Sequence, residues 1–351
     1  MIDPSLQRYA FLALAAAALF GASTPLAKLL LGEVSPVVLA GLLYLGSGLG
    51  FALMRLAQGG GSHPREAPLA ARHWTSLGGA ILAGGVAAPV LLLWGLARSG
   101  AAETALLLNF ESVATALVAA LFFREAVGGR VWAAALVMLA GGFVLAYEPQ
   151  APLAFSPHAL AVVGACLCWA IDNNLTRKVA GADPVAIALI KGIAAGSFNL
   201  VLGLALGGMF PAPGAAAGAL ALGFLGYGAS LVFFIYALRH LGAARTAAYF
   251  STAPFIGAAL AVPLLGEPVT AGLIAAAALM AIATWLVLTE LHSHEHIHER
   301  LVHAHRHVHD EHHQHAHRGD EGPEPHVHEH VHEPMRHAHP HVPDLHHRHR
   351  H

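Results

Sequence analysis

The sequence predicts an all-α membrane protein with ten transmembrane helices, arranged as two inverted five-helix repeats, plus a disordered His-rich C-terminal tail. Three observations lead there. Apolar stretches of about 20 residues recur, the length that spans a bilayer as helix. The second half of the chain repeats the first at a nearly fixed offset. Charge and histidine are concentrated at the C-terminal end.

Of 351 residues, 56% are hydrophobic and 11% are charged, against roughly 25% charge in soluble domains. Residues 292–351 hold 10 acidic residues, 6 Arg and 23 of the 27 His. The preceding residues carry 13 basic and 11 acidic groups, too few to coat a water-facing surface. A net charge of −2 supplies no basic face for nucleic acid. Cys166 and Cys168 lie two apart in an apolar run, where a helix points them in different directions, so they read as small buried hydrophobes.

The expected spans are 9–31, 37–57, 74–97, 101–123, 128–147, 158–178, 184–206, 217–238, 244–265 and 269–290. The first apolar run could pass for a signal peptide, but it continues through Pro25 to Leu31 with Lys28 its one charge, and reads as a span. Stop signals mark the breaks: Ser35-Pro36, Gly128-Gly129, Asp183-Pro184 and Glu267-Pro268. Pro25, Pro89, Pro254 and Pro263 predict bends at membrane depth, with Ser251 and Thr252 placed to satisfy carbonyls freed near Pro254. Clusters such as Gly46, Gly48 and Gly50, or Gly192 and Gly196, suit close helix packing.

With the N-terminus inside, the inner breaks hold ten Lys/Arg and the outer side two, Arg98 and Lys28. That bias puts both termini in the cytoplasm of a multi-pass plasma-membrane protein. Residue n then falls over n+142: Gly100-Ala101-Ala102 over Gly242-Ala243-Ala244, Thr104 over Thr246, Glu125 over Glu267. Earlier in each half the offset is 148, Ser35-Pro36 meeting Asp183-Pro184. The domains are therefore 1–149, 156–291 and the tail 292–351. Five spans per half invert one half relative to the other. The charges agree: Glu103 outside aligns with Arg245 inside, and Arg124 and Arg130 inside align with Gly266 and Gly272 outside.

The segments Ala97-Arg98-Ser99-Gly100-Ala101 and Leu238-Arg239-His240-Leu241-Gly242-Ala243 resemble the EamA transporters of the drug/metabolite transporter superfamily. So do the helix endings Leu121-Phe122-Phe123-Arg124-Glu125 and Pro263-Leu264-Leu265-Gly266-Glu267, although the usual Gly before the Glu is Arg124 in the first half. The resemblance covers roughly 9–290 and implies a secondary carrier, commonly an exporter of amino acids or other metabolites.

Ionisable groups inside spans are costly and each requires an account. Glu111 lies near mid-span, where low dielectric favours its protonated form. It reads as a proton-coupling or amine-binding group, or as a neutral carboxyl hydrogen-bonded in the bundle. Asn109 is close in sequence. Asp172 and Lys191 fall at similar depth on consecutive spans, roughly 9–11 Å from the inner ends. They read as a structural ion pair, or as substrate or gate contacts helped by Asn173 and Asn174. Trp94, Tyr227 and Tyr249 read as cavity lining or as packing. Lys28 reads as an interfacial anchor. Glu125 and Glu267 read as carboxylates at the positive ends of the helices that follow them.

In the tail, His recurs at every second position. His292, His294, His296 and His298, then His303, His305, His307 and His309, then His326, His328, His330 and His332 form the metal-ligand set expected there. Neutral imidazole binds Zn, Ni or Co well. The low apolar content predicts disorder. Three functions stay open. One is a small-solute carrier with the bilayer and a solute as partners and no cofactor for transport. The second is a divalent metal (Ni/Co/Zn) exporter using the tail for capture. The third is a non-transporting membrane sensor or metal store. No nucleophile–base arrangement or phosphate loop suggests an enzyme.

Overall fold

The computed structural model describes residues 4–57, 69–123, 129–146, 156–179, 182–241 and 243–289. It also describes four tail segments, 292–298, 301–307, 326–332 and 335–341.

The described membrane portion forms ten apolar helices: α1 (Pro4–Leu30), α2 (Pro36–Ala57), α3 (Ala71–Leu96), α4 (Ala101–Phe122), α5 (Gly129–Ala146), α6 (Pro157–Arg177), α7 (Pro184–Ala205), α8 (Pro213–Ala237), α9 (Arg245–Leu265) and α10 (Ala271–Leu288). Nine are long and apolar enough to cross a bilayer, and α5 is a shorter apolar helix. Proline opens α2, α6, α7 and α8, a position whose missing N–H costs no helical bond. This explains why α8 starts at Pro213, earlier than the expected 217. Large apolar side chains such as Leu53, Leu136, Ile274 and Trp285 point outward, as a lipid-facing surface requires.

Each helix of the first half packs most extensively against the second half. The main pairs are α2 with α7 and α8, α3 with α6 and α7, α5 with α10, α4 with α6 and α9, and α1 with α8 and α9. Exchanging helix n for n+5 carries this list into itself. The α2–α7 seam is tight because both sides are glycine: a Cβ on Gly192 would stand 2.7 Å from the Gly48 Cα and 2.8 Å from the Tyr44 carbonyl oxygen.

Irregularities recur at matching places. In α3 the backbone widens into a π-type turn over Ile81–Ala87, and in α8 over Gly223–Ala229, 142 residues later. In α4 the helix breaks at 108–109, and in α9 at 251–252. The α9 break is closed by Ser251 Oγ donating to the Ala248 carbonyl (2.8 Å) and Thr252 Oγ1 to that of Tyr249 (2.7 Å).

Two groups of helix ends are tied together. On one side, Lys28 Nζ donates to the carbonyls of Leu96 (2.7 Å), Ser99 (2.9 Å) and Ala97 (3.2 Å), ending α3. Glu267 accepts from the amides of Ala101 (2.6 Å) and Ala102 (2.8 Å), starting α4. On the other side, Arg55 pairs with Asp183, and Arg130 donates to the Thr289 carbonyl (2.6 Å). These contacts correct two expectations. Lys28 caps a helix C-terminus rather than serving as a free anchor, and Glu267 caps α4 of the other half rather than its own α10. Glu125 lies outside the described residues.

Four strands, β1 (His292–His298), β2 (Leu301–His307), β3 (His326–His332) and β4 (Met335–His341), pair as β1–β4 and β2–β3, both antiparallel. The register sets His294 opposite His339, His296 opposite His337, His303 opposite His330 and His305 opposite His328. A strict two-residue period suits an extended chain. His309 and the side chains of the tail lie outside the described residues.

Candidate functional site

The break in α4 positions the site. Leu107 would normally accept from Glu111, but the Glu111 amide turns to Leu108 (3.1 Å). The Cys166 thiol of α6 fills the gap, donating to the Leu107 carbonyl at 3.6 Å. Asn109 is occupied at the break. Its Nδ2 donates to the Leu106 carbonyl (2.9 Å), and its Oδ1 accepts from Thr284 of α10 (3.3 Å). Asn109 therefore shapes the backbone beside Glu111.

Glu111 begins the second segment of α4, with its Oε1 accepting from Asn173 Nδ2 of α6 at 2.8 Å. Asn173 also reaches Thr115 Oγ1 at 3.4 Å. Glu111 is half-buried. Asn174 points elsewhere, donating to the carbonyls of Ala170 (2.9 Å) and Thr115 (3.1 Å), which fastens α6 to α4.

Asp172 and Lys191 do meet across α6 and α7. Lys191 Nζ stands 2.6 and 2.7 Å from the two Asp172 oxygens, and both residues are buried. Thr176 Oγ1 adds a bond to Asp172 at 2.7 Å. Asp172 rests on the wide turn of α3 where Gly84 leaves room; a Cβ there would overlap its carboxylate. The Gly84 carbonyl accepts from Tyr44 (2.6 Å) and Trp169 (3.0 Å), and that of Gly85 from Asn199 (3.0 Å). Asp172 is thus neutralised by Lys191, while Glu111 has an amide partner in Asn173.

Aromatic rings complete the site. Phe20 of α1 lies 6.3 Å from Trp169, 6.0 Å from Tyr227 and 5.6 Å from Phe250, ring centre to ring centre. Tyr44 lies 5.5 Å from Tyr227. Trp169 and Asn173 stand one turn apart on α6 and share a face, which joins the ring cluster to Glu111.

Of the sequence candidates, Glu111, Asn173, Asp172, Lys191 and Tyr227 come together here. Trp94 does not: it is half-exposed near the end of α3, 4.8 Å from the His158 ring. Next to Tyr249, it is Phe250 that joins the cluster. Sequence reading missed Phe20, Tyr44, Thr115 and Trp169. The signal was available for Trp169 and Tyr44, aromatics with polar tips placed mid-span.

The sequence pattern of the EamA-like transporter family matches residues 7–147 and again 157–289. The chain belongs to the EamA-like transporter family. An uncharacterized transporter from the archaeon Methanothermobacter thermautotrophicus is 25% identical over 269 residues, covering 71% of this chain and 77% of the relative. A protein known from a crystal structure aligns with a TM-score of 0.57 at 20% identity, covering 80% of this chain and 95% of its own, a likeness of fold. The EamA chain is accordingly a multi-pass membrane transporter of small solutes, with the lipid bilayer as its solvent.

Proposed function

We propose that this EamA transporter is a secondary carrier that exports metabolites or amino acids by alternating access, with Glu111 taking up either a proton or the solute. The observation that carries this is the placement of Glu111. It is a mid-span carboxyl held by Asn173, whose chain neighbour Asp172 already has its cation. Intramembrane ionisable groups in such places serve ion or proton movement. Discontinuous helices at the same depth are where carriers build their sites, and α4 breaks directly before Glu111.

Two halves of five helices, inverted in the membrane, fit the exchange-related packing and the matched turns and breaks. The Lys/Arg bias favours an inner-membrane protein with the Arg55, Asp183 and Arg130 side in the cytoplasm. In proteoliposomes given a panel of amino acids and amines under an imposed pH gradient, Glu111→Gln is expected to abolish pH-driven flux. Unchanged pH-driven flux in that variant would overturn the assignment.

The tail register favours a second reading, in which Zn, Ni or Co held by the tail feeds or regulates export. Directly opposed residues of an antiparallel pair have Cβ atoms about 5 Å apart, a spacing that suits two imidazoles on one ion. Cells expressing the full chain are compared with cells expressing a form ending at Glu290. Lower cell Ni or Zn with the full chain alone makes the tail part of metal export. Equal metal in both leaves the carrier to metabolites.

A further inference from the structure

Exchange carries the helix pairs into one another, yet the two sides of the bundle are not equally closed. Near the Lys28 end, residues 101–107 of α4 pack extensively against residues 253–265 of α9. Gly257 marks the contact. A Cβ there would stand 3.1 Å from the Ala105 Cβ and 2.7 Å from the Gly21 carbonyl oxygen of α1. The offset of 142 carries this contact to residues 243–249 and 111–123. Among the described residues, those two segments have no comparable contact. Burial differs in the same sense. Ala105 and Leu106 are buried, whereas their counterparts Ala247 and Ala248 are exposed.

Two charged side chains hold the closed side. The α3–α4 turn presents the carbonyls of Leu96, Ala97 and Ser99 and the amides of Ala101 and Ala102, groups that helix ends leave without intrahelical partners. Lys28 of α1 donates to the three carbonyls, and Glu267, just after α9, accepts from the two amides. Both side chains belong to one body, because α1 and α9 touch at Gly21 and Gly257. The turn is therefore clasped to the α1–α9 pair by charge-assisted bonds, the stronger kind. The repeat does not carry the cation across. The offset of 148 puts Thr176 in the place of Lys28, and Thr176 donates to Asp172 at 2.7 Å.

Resting on the carrier reading, we propose that Lys28 and Glu267 are the gate on the side opposite Arg55 and Asp183. This gate sets the resting state, closed at Lys28 and open toward the Arg55 side. With the topology favoured above, the carrier rests facing the cytoplasm, where an exporter collects its solute. Opening the gate frees the α3–α4 turn from α1 and α9. By the inverted repeat, Ala247 then packs on Thr115, its partner at the offset of 142, as Ala105 packs on Gly257 here.

The test uses purified full-length protein carrying one reporter, Ala105→Cys or Ala247→Cys, each compared with the reporter-free chain. The probe is the water-soluble thiol reagent trimethylammonioethyl methanethiosulfonate, and the readout is the rate of labelling. With the gate intact, Ala247→Cys is expected to label and Ala105→Cys to be protected. Lys28→Met and Glu267→Gln should each speed labelling of Ala105→Cys about tenfold, the order set by losing hydrogen bonds to a charged group. Both should slow labelling of Ala247→Cys. That reciprocal change distinguishes a gate from a loosened helix end. Lys28→Arg keeps the donors and should restore protection. Arg98→Gln, exposed in the same turn, should leave both rates unchanged and serves as the folding control beside size exclusion. Unchanged rates in Lys28→Met and Glu267→Gln, both reporters speeding up together, or equal labelling of the two reporters with the gate intact would each overturn the proposal. The carrier reading fails separately, through pH-driven flux that survives Glu111→Gln, a measurement in which neither reporter takes part.

Discussion

Lys191 binds both oxygens of Asp172 in a buried seam, so losing one charge differs from losing both. Lys191→Met leaves a carboxylate without its cation, which costs about 3–5 kcal/mol. Replacing Asp172 with Leu at the same time should return most of that. Thermal unfolding in detergent reads both, and a double variant as unstable as the single one would refute the pairing as the cause. Gly84 makes a sharper case. Its replacement by Ala pushes a methyl into the Asp172 carboxylate, and overpacking of this kind costs about 1–3 kcal/mol. The expected outcome is a lower midpoint and weaker Tyr44 and Trp169 bonds to the same turn. At this scale the sequence was partly legible. Asp172 with Lys191, and Glu111 alone, follow from the rarity of charge in spans. Asn109 was misleading because its amide serves the broken backbone, and Phe20 gave no sign because a phenylalanine in a span is usual.

At the level of helices, the existence of each span could be read from hydropathy and its start from proline. The breaks and wide turns could not, because Ile81–Ala87 and Gly223–Ala229 read as ordinary apolar helix. What distinguishes them is the partner set, such as Tyr44, Trp169 and Asn199 on the α3 turn, and those come from three other helices. The same reasoning applies to Glu267. A carboxylate after a helix was expected to cap the next one, yet the left-handed Gly266, at φ 66°, ends α9 and Glu267 meets α4 instead. Glu267→Ala should then cost about 0.5–2 kcal/mol. Hydrogen exchange should show faster opening at Ala101 and Ala102, with α10 unaffected. Faster exchange in the first turn of α10 instead would show that the capped helix had been misidentified.

Over the whole molecule, the repeat was legible because an offset of 142 can be counted. The pairing of α2 with α7 and α5 with α10 was not, since no local pattern names a distant partner. That pairing has a practical outcome. Chains 1–149 and 150–351 made separately should be recovered together when coexpressed and should restore flux. Either one alone should be degraded. Recovery of a stable, monodisperse first half would contradict the packing described. The same interlocking bears on biogenesis. Each of the first five helices finds its principal neighbour in the second half. During synthesis, α1 to α5 must therefore wait in the lipid with glycine seams and a capless α4 until their partners emerge from the ribosome. The start of α4 is completed only when Glu267 arrives, some 166 residues after Ala101. Assembly is thus a late, near-simultaneous event, and a chaperone or insertase that shelters half-made bundles would govern how much functional protein a cell obtains.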